Sequence, residues 1–361
     1  MEESLCPLNG VRAINFDFED RVVNVIRNTW LTYLETIDGY PEGDFEGKGI
    51  VICAGGIKYF TNAWIAITQI RFLGCRLPIE VWFKDSELSS EVIANFEQLQ
   101  VDCKNVSDYE QTNLKGYGLK PLAILLSKFE EVLYLDADNN CLYDPTDLFF
   151  SKEYNRNGAI FWPDYWSTSS RNPIWRIVDS VEYDLPEQES GQILINKRRC
   201  WKELQLCLYF NRNSNLYYKL LYGDKDTFKF AWLALKTPFY MIQSSPGSCG
   251  YMTKTNSFRG VTMVQYDILG HIIFLHRNLL KWDVANTEKF IWEKIKRFSE
   301  GFPEKKFYFK KTETHYYIDL AGDVMDHHCS KQIKDYEIRS YEILKELRES
   351  TFFINFCKEN L

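Results

Sequence analysis

Short apolar runs and amphipathic segments follow one another from residue 49 onward. Mostly apolar runs with the length of buried strands lie at residues 50–54, 79–83 and 131–135. Segments with apolar residues at helical spacing accompany them, at residues 60–73, 88–99 and 119–128. Strands that alternate with helices predict an α/β fold with a mostly parallel sheet. Ligands of such sheets bind beyond the carboxyl ends of the strands.

The two ends of the chain follow a different pattern. Residues 19–37 place apolar side chains three and four positions apart, which predicts a helix packed on the main domain. Residues 38–48 contain four prolines or glycines, which is typical of a linker. Residues 287–298 and 335–357 are predicted helices with a charged surface. The expected division is an N-terminal helical extension, a main domain and a C-terminal helical extension, at residues 1–47, 48–285 and 286–361.

Composition narrows the class of protein. The formal net charge of −7 argues against a nucleic-acid partner, which requires a basic face. Aromatic residues make up 16% of the chain, which suits deep pockets for flat or ring-shaped ligands. The ten cysteines lack CxxC spacing and favour free thiols over a zinc site. Neither a signal peptide nor an apolar stretch of about 18 residues is visible, so we expect a cytoplasmic protein without a transmembrane segment.

Asp136-Ala137-Asp138 follows the apolar run at 131–135, so two carboxylates are predicted at the edge of the sheet. Such hard oxygen donors can hold Mg²⁺ or Mn²⁺ and leave room for diphosphate oxygens. A nucleotide diphosphate is a poor leaving group unless its developing charge is neutralised, which a metal ion does. The motif therefore predicts a divalent cation site, with a solvated turn as the structural alternative.

Two basic side chains could complete this site. Lys120 opens the helix before the strand and could reach a phosphate as a point charge, although a surface lysine is the alternative. His276 ends the apolar run 272–275 and could add one imidazole to the metal site. A lone histidine there could equally be a core residue, and His271 is a competing candidate.

Two polar blocks lie further along the chain, each next to a predicted strand or helix. Glu189 to Gln192 precede an apolar run, so their polar groups are predicted to lie at one end of a strand. A helix begins near Gly223, where either Asp224 or Asp226 could act as its cap. Carboxylates and amides in these blocks could bind sugar hydroxyls or stabilise an oxocarbenium-like centre.

Several ungapped blocks together resemble the fungal-type α-mannosyltransferases, glycosyltransferase family 71. The blocks are Phe161-Trp162-Pro163-Asp164, Glu189-Ser190-Gly191-Gln192 and Gly223-Asp224-Lys225-Asp226-Thr227-Phe228, in order with 52–56 and 135–139. This resemblance covers residues 48–280 and implies a GT-A fold, a Rossmann-like fold of nucleotide-diphospho-sugar transferases. It also implies GDP-mannose as donor, Mn²⁺ (or Mg²⁺) as metal and a glycan acceptor. The expected product is an α-1,3- or α-1,2-linked mannose, formed with retention of configuration. Fungal relatives are Golgi membrane proteins.

The resemblance further implies roles for individual residues. The metal ligands would be Asp136, Asp138 and His276. The donor would contact Gly55, Gly56, Tyr59, Lys120 and Asp136. The transferred sugar would face the catalytic candidates Glu189, Gln192, Asp224 and Asp226. The acceptor would contact Trp162, Asp164 and Trp166, although the aromatic rings of this segment could equally belong to the core.

Three other functions are compatible with parts of this pattern. The same fold could use a UDP-sugar and act as a glucosyl- or galactosyltransferase, since no residue distinguishes guanine from uracil. A non-catalytic sugar-nucleotide-binding relative would have no need for clustered carboxylates beside Lys120 and His276. A nucleotidyltransferase would require a longer Gly-rich basic loop than Gly55-Gly56-Ile57-Lys58.

Overall fold

The computed structural model of the protein describes residues 8–14, 16–114, 116–181, 183–286, 288–299 and 305–360. Its α-helices are α1 (Asp20–Glu35), α2 (Gly56–Phe72), α3 (Ser90–Gln98), α4 (Leu119–Leu126), α5 (Lys152–Asn157), α6 (Ile174–Val178), α7 (Trp201–Arg212), α8 (Ser214–Leu221), α9 (Lys225–Leu235), α10 (Lys331–Glu349) and α11 (Thr351–Asn360). Its strands are β1 (Val11–Arg12), β2 (Lys48–Cys53), β3 (Ile79–Phe83), β4 (Val101–Asn105), β5 (Glu131–Asp136), β6 (Asn139–Cys141), β7 (Ala159–Pro163), β8 (Ser167–Thr168), β9 (Gln188–Asn196), β10 (Tyr240–Met241), β11 (Gly247–Met252), β12 (Phe258–Tyr266), β13 (Ile272–His276), β14 (Lys294–Phe298), β15 (Lys306–Lys311), β16 (Tyr316–Ala321) and β17 (Val324–His328).

The central sheet has the order β10-β7-β9-β5-β2-β3-β4 within the described residues. Strands β5, β2, β3 and β4 run parallel to one another, whereas β9 runs antiparallel to β5 and to β7. The three strands that the apolar runs predict are β2, β3 and β5. The predicted α/β class with a mostly parallel sheet is therefore confirmed.

Alternate residues of β5 enter the hydrophobic cores on the two faces of the sheet. Val132 and Tyr134 pack with helices α4, α7 and α9, and Leu133 and Leu135 pack with α2, α3 and α11. A strand covered on both faces is apolar at nearly every inner position, which is why residues 132–135 form a continuous apolar run. Asp136 is the first carboxylate beyond this run, so burial of the strand determines where the acidic motif emerges.

A second, antiparallel sheet carries His276 to the acidic motif. Its described strands have the order β15-β16-β12-β11-β14-β17, and β13 pairs with both β12 and β6. Strand β6 begins directly after Asp138, and its first residue, Asn139, lies opposite His276. The Arg277 N–H also donates to the carbonyl oxygen of Asp138 at 2.9 Å. This pairing brings together two segments that are far apart in the sequence.

The helix predicted over 287–298 is wrong. Residue 287 lies outside the described residues, and residues 294–298 form strand β14, which pairs with β11 and β17. Trp292, Ile295 and Phe298 are buried at a spacing of three, which imitates one face of a helix. Pairing on both sides outweighs this local pattern. Because β11 and β14 belong to one sheet, the predicted domain boundary at 285 lies inside that sheet, and the C-terminal extension is not purely helical.

The two terminal helical regions pack on the main sheet core. Helix α1 lies against α6 and α7, and Nε1 of Trp30 donates to the carbonyl oxygen of Ile177 at 3.3 Å. The first seven residues of the predicted N-terminal extension lie outside the described residues. The helix predicted over 335–357 is instead two helices, because Ser350 has an extended backbone with ψ of 136°. Among the described helices, none combines the length and the apolar character that crossing a membrane requires.

Candidate active site

Asp136, Asp138 and His276 form one cluster at the edge of the central sheet. Each offers a ligand atom within 4.8 Å of the other two. The Nε2 atom of His276 lies 3.4 Å from Asp138 Oδ1 and 3.8 Å from Asp136 Oδ2. His271, the competing candidate, is exposed and pairs with Asp267 instead. The structure therefore brings together the three residues predicted to hold a metal, while their role as ligands stays a prediction.

The charges of this cluster are stabilised by one another. Burial would raise the pKa of Asp138, but the charges of His276 and Lys281 outweigh it and hold that pKa well below its ordinary value. Burial would lower the pKa of His276, but the negative charge of Asp138 outweighs the effect of burial and raises that pKa. Asp138 consequently keeps its negative charge throughout the physiological pH range, as a cation ligand must.

Lys120 lies in the middle of the site and links three polar groups. It is 4% exposed, and its Nζ lies 3.0 Å from Asp136 Oδ1 and 3.2 Å from Asp224 Oδ2. It also donates a hydrogen bond to Ser190 Oγ at 3.0 Å. Burial would lower the pKa of Lys120, but the two carboxylates outweigh it and raise that pKa. The site therefore contains a permanent positive charge beside the acidic motif.

Asp224 belongs to this arrangement and is not used as a helix cap. It occupies the N-cap position of α9, yet its side chain accepts no capping hydrogen bond. Instead its Oδ2 accepts a hydrogen bond from the hydroxyl group of Ser190 at 3.2 Å. Its carboxylate is thus directed toward Lys120 and the end of β9.

Lys281 is a site residue that the sequence did not reveal. It lies in the coil after β13, and its ammonium contacts the carboxylate of Asp138. Burial would lower the pKa of Lys281, but Asp138 outweighs it and raises that pKa. The sequence offered one signal for Lys281, its position five residues after His276. A coil has no periodicity, however, that would distinguish this lysine from others.

A cleft extends from this cluster along the ends of β2 and β3. A Cβ atom on Gly55 would lie 2.0 Å from the Glu87 carboxylate, so only glycine fits there without displacing that side chain. Gly56 has a φ of +67°, a left-handed conformation that favours glycine. Four of the residues predicted to contact a donor line the cleft, namely Gly55, Tyr59, Lys120 and Asp136. Further lining side chains include Trp82, Glu87, Tyr117, Tyr134 and Lys281.

Glu189 lies directly behind His276. Its Oε1 accepts the N–H of Gly191 at 2.8 Å and lies 3.7 Å from Nδ1 of His276. Burial raises the pKa of Glu189, although the charge of His276 opposes this. The carboxylate is turned toward the imidazole, so its predicted contact with the transferred sugar stays a prediction.

Two other catalytic candidates are fully buried beside the site. Gln192 accepts a hydrogen bond from Asn139 Nδ2 at 2.6 Å. Asp226 pairs with Lys229 at 2.9 Å and accepts the backbone N–H of Gln188. These contacts give Asp226 a structural role, so the structure does not support its predicted contact with a sugar.

Residues 47–185 and 182–267 match the family model described as "Mannosyltransferase putative". These matches cover more than half of the chain. The chain belongs to the fungal-type α-mannosyltransferase family. The resemblance that the sequence blocks indicate is thereby confirmed.

Individual members of the family show how far the similarity extends. The chain is 30% identical over 276 residues to alpha-1,2-mannosyltransferase MNN23 of Candida albicans, a match that covers 60% of this chain and 45% of that protein. It is 26% identical over 285 residues to alpha-1,2-mannosyltransferase MNN2 of Saccharomyces cerevisiae, covering 63% of this chain and 47% of that protein. The chain spans about half the length of the curated relatives it matches.

Two solved structures superpose on part of the chain with low TM-scores. The glycosyltransferase GlyE of Streptococcus pneumoniae superposes with a TM-score of 0.38 at 13% identity, covering 55% of this chain and 46% of that chain. The galactosyltransferase LgtC superposes with a TM-score of 0.38 at 15% identity, covering 53% of this chain and 72% of that chain. These partial similarities carry no information about the substrate of this chain.

Trp162, in the first family block, is a core residue. It is 0% exposed, donates from Nε1 to the carbonyl oxygen of Tyr266 at 2.8 Å and lies edge-on to Phe274. The structure therefore does not support the predicted contact of Trp162 with an acceptor, because both faces of β7 are covered by the core. Asp164 is also buried and pairs with Lys225.

Trp166 remains a candidate for acceptor binding. Its ring is only half-buried, and the guanidinium of Arg12 lies 4.2 Å above it. A cation over an indole face contributes a modest stabilisation at a partly exposed position. The acceptor role of Trp166 stays a prediction.

The different burial of these two tryptophans predicts different effects on stability. Trp162→Ala is expected to lower the free energy of unfolding by about 3–5 kcal/mol, because it leaves a cavity in a close-packed core. Trp166→Ala, the matched control, is expected to cost clearly less, since its ring already contacts solvent. Urea unfolding followed by circular dichroism measures both. Equal losses for the two variants would contradict the assignment of Trp162 to the core.

Proposed function

We propose that the chain is a retaining α-mannosyltransferase of the GT-A type, which transfers mannose from GDP-mannose to a hydroxyl group of a glycan. The observation that carries the proposal is the convergence of Asp136, Asp138 and His276 with the buried Lys120 and the partly buried Lys281 at the carboxyl end of β5. Opposite charges are concentrated at the edge of the sheet where α/β proteins bind ligands. Membership of the mannosyltransferase family supports mannose as the transferred sugar.

The donor atoms of the cluster fit a divalent cation. Two carboxylates and one imidazole, with ligand atoms within 4.8 Å of one another, suit Mn²⁺ or Mg²⁺. Among the described residues, the buried Nδ1 of His276 has no hydrogen-bond partner, and it lies 3.7 Å from Glu189, which suits a carboxylate that orients a ligating imidazole. When bound, the cation would neutralise the charge that develops on the departing diphosphate.

The lysines of the site act on the same charge. Lys120 pairs with Asp136 and Lys281 with Asp138, so two positive charges lie beside the acidic motif where a diphosphate would bind. Both ammonium groups are held in place before the reaction, which makes their electrostatic stabilisation effective. The acceptor hydroxyl attacks the anomeric carbon on the face of the leaving group. A new C–O bond forms as the bond to the diphosphate breaks, and the departing phosphate oxygen takes the hydroxyl proton.

A panel of nucleotide sugars tests the assignment of the donor. With Mn²⁺ present, GDP-mannose is expected to stabilise the chain by about 2.7 kcal/mol at a concentration of about 100 Kd. EDTA is expected to remove this effect. UDP-glucose and UDP-galactose serve as controls in the same thermal-shift series. Stabilisation by a UDP-sugar but not by GDP-mannose would reassign the chain as a glucosyl- or galactosyltransferase. Donor binding without hydrolysis or transfer would favour a non-catalytic relative.

A further inference from the structure

A buried arginine fixes the coil that carries Lys281. Arg277 is 2% exposed, and its guanidinium lies between two indole rings, 3.9 Å from the centre of Trp282 and 5.0 Å from that of Trp292. Its Nε donates to the carbonyl oxygen of Leu280 at 3.0 Å. Since Leu280 directly precedes Lys281, the arginine fixes the turn from which the lysine extends.

The position of Arg277 depends in turn on a carboxylate from helix α10. Glu337 is 0% exposed, and its Oε1 lies 3.4 Å from the guanidinium of Arg277. Its other oxygen accepts the backbone N–H of Trp292. Both oxygens therefore hold the region that follows β13. Without the carboxylate, the buried guanidinium would keep an uncompensated charge, which favours a rearrangement of the turn.

The other end of the same turn is anchored on helix α2. Asn62 Nδ2 donates to the carbonyl oxygen of Trp282 at 3.0 Å, and its Oδ1 accepts the N–H of Trp282 at 3.0 Å. Lys281 therefore extends from a turn that is held on both sides, by Arg277 before it and by Asn62 after it. The backbone around Lys281 is therefore fixed, and its side chain extends from it to contact Asp138.

We propose that Glu337 is a positioning residue of the donor site, which acts through Arg277 to hold Lys281 where a diphosphate binds. The proposal rests on the proposed function, because it takes the cleft as the site of a nucleotide diphosphate. Glu337 lies well beyond residue 267, where the match to the family model ends. Helix α10 would then contribute to donor binding through Glu337, in addition to packing on the rest of the fold.

Calorimetric titration with GDP and with UDP, each with Mn²⁺, tests this positioning role. Glu337→Gln keeps the size of the side chain and an acceptor for the Trp292 N–H but removes the charge that pairs with Arg277. It is expected to weaken nucleotide binding about 10- to 100-fold, as loss of an outer-shell partner does. The matched control is Glu342→Gln on the exposed face of α10, which is expected to bind like the wild type.

A double variant separates positioning from a general effect on stability. If Glu337 acts through Lys281, then Glu337→Gln combined with Lys281→Ala binds no more weakly than Lys281→Ala alone. Asn62→Ala, which frees the other end of the turn, is expected to show the same non-additivity and serves if Glu337→Gln does not fold. Independent addition of the losses, or unchanged affinity in a folded Glu337→Gln protein, would overturn the proposal.

The choice of two nucleotides keeps this test distinct from that of the proposed function. Lys281 is expected to contact the diphosphate, which GDP and UDP share. Binding of UDP in place of GDP, or binding without mannosyl transfer, would refute the proposed function but leave the positioning role to be judged by the double variant. Failure of the wild type to bind either nucleotide would overturn both.

Discussion

Asp138→Ala is expected to abolish mannosyl transfer and the dependence of donor binding on a divalent cation. The Asp138 side chain is 2% exposed, and the neighbouring positive charges of His276 and Lys281 hold its pKa low, so it supplies a full negative charge at neutral pH. Loss of a preorganised charged group in an active site reduces kcat by about 100- to 1,000-fold, and loss of the metal adds to this. We therefore expect kcat/KM to fall by at least about 100-fold.

The fold is expected to survive this substitution. Without Asp138, His276 can lose its proton and Lys281 can turn toward solvent, which its side-chain exposure of 17% allows. Asp138→Asn removes the negative charge but keeps the size and shape of the side chain. This variant is expected to show the same loss of transfer. Asp335→Asn, at an exposed position of α10, is the control and is expected to keep full activity. Unchanged kcat/KM in a folded Asp138→Ala protein, measured by GDP release, would refute the metal mechanism.

Lys281→Ala is expected to produce the second largest effect, through binding of the donor diphosphate. A hydrogen bond to a charged group contributes about 1.5–3 kcal/mol, so the affinity for GDP with Mn²⁺ should fall roughly 10- to 150-fold. The KM for the donor is expected to rise accordingly. Lys345→Ala, at an exposed position of α10, is the control. A Lys281→Ala protein that binds GDP like the wild type would show that this ammonium only balances the charge of Asp138.

Local patterns predicted the part of the site that depends on local structure. Burial of β5 on both faces made residues 132–135 an apolar run, and this run located Asp136 and Asp138 at the sheet edge. The pairing of β6 with β13, which brings His276 to Asp138, depends on contacts between distant segments. Sequence indicated that His276 ends a strand but could not indicate which strand lies beside it.

The errors of prediction have equally specific causes. Trp162 occupies a block that is characteristic of the family, yet it stabilises the core. A residue type in a signature block does not by itself distinguish packing from binding. Lys281 lies in a coil, where neither period nor capping signal exists, so its role became visible only through its contact with Asp138. The misassigned helix over 287–298 followed from the spacing of three between Trp292, Ile295 and Phe298, which fits one face of a helix although residues 294–298 form a paired strand.

The central claim is that this chain transfers mannose from GDP-mannose at a metal site formed by Asp136, Asp138 and His276. The most direct test incubates the purified wild type with GDP-mannose, Mn²⁺ and an α-linked mannose oligosaccharide and follows the acceptor by mass spectrometry. The predicted result is the addition of single mannose units, which stops in EDTA and in Asp138→Ala. Equal addition in EDTA, or addition of a hexose only from a UDP-sugar, would contradict the claim.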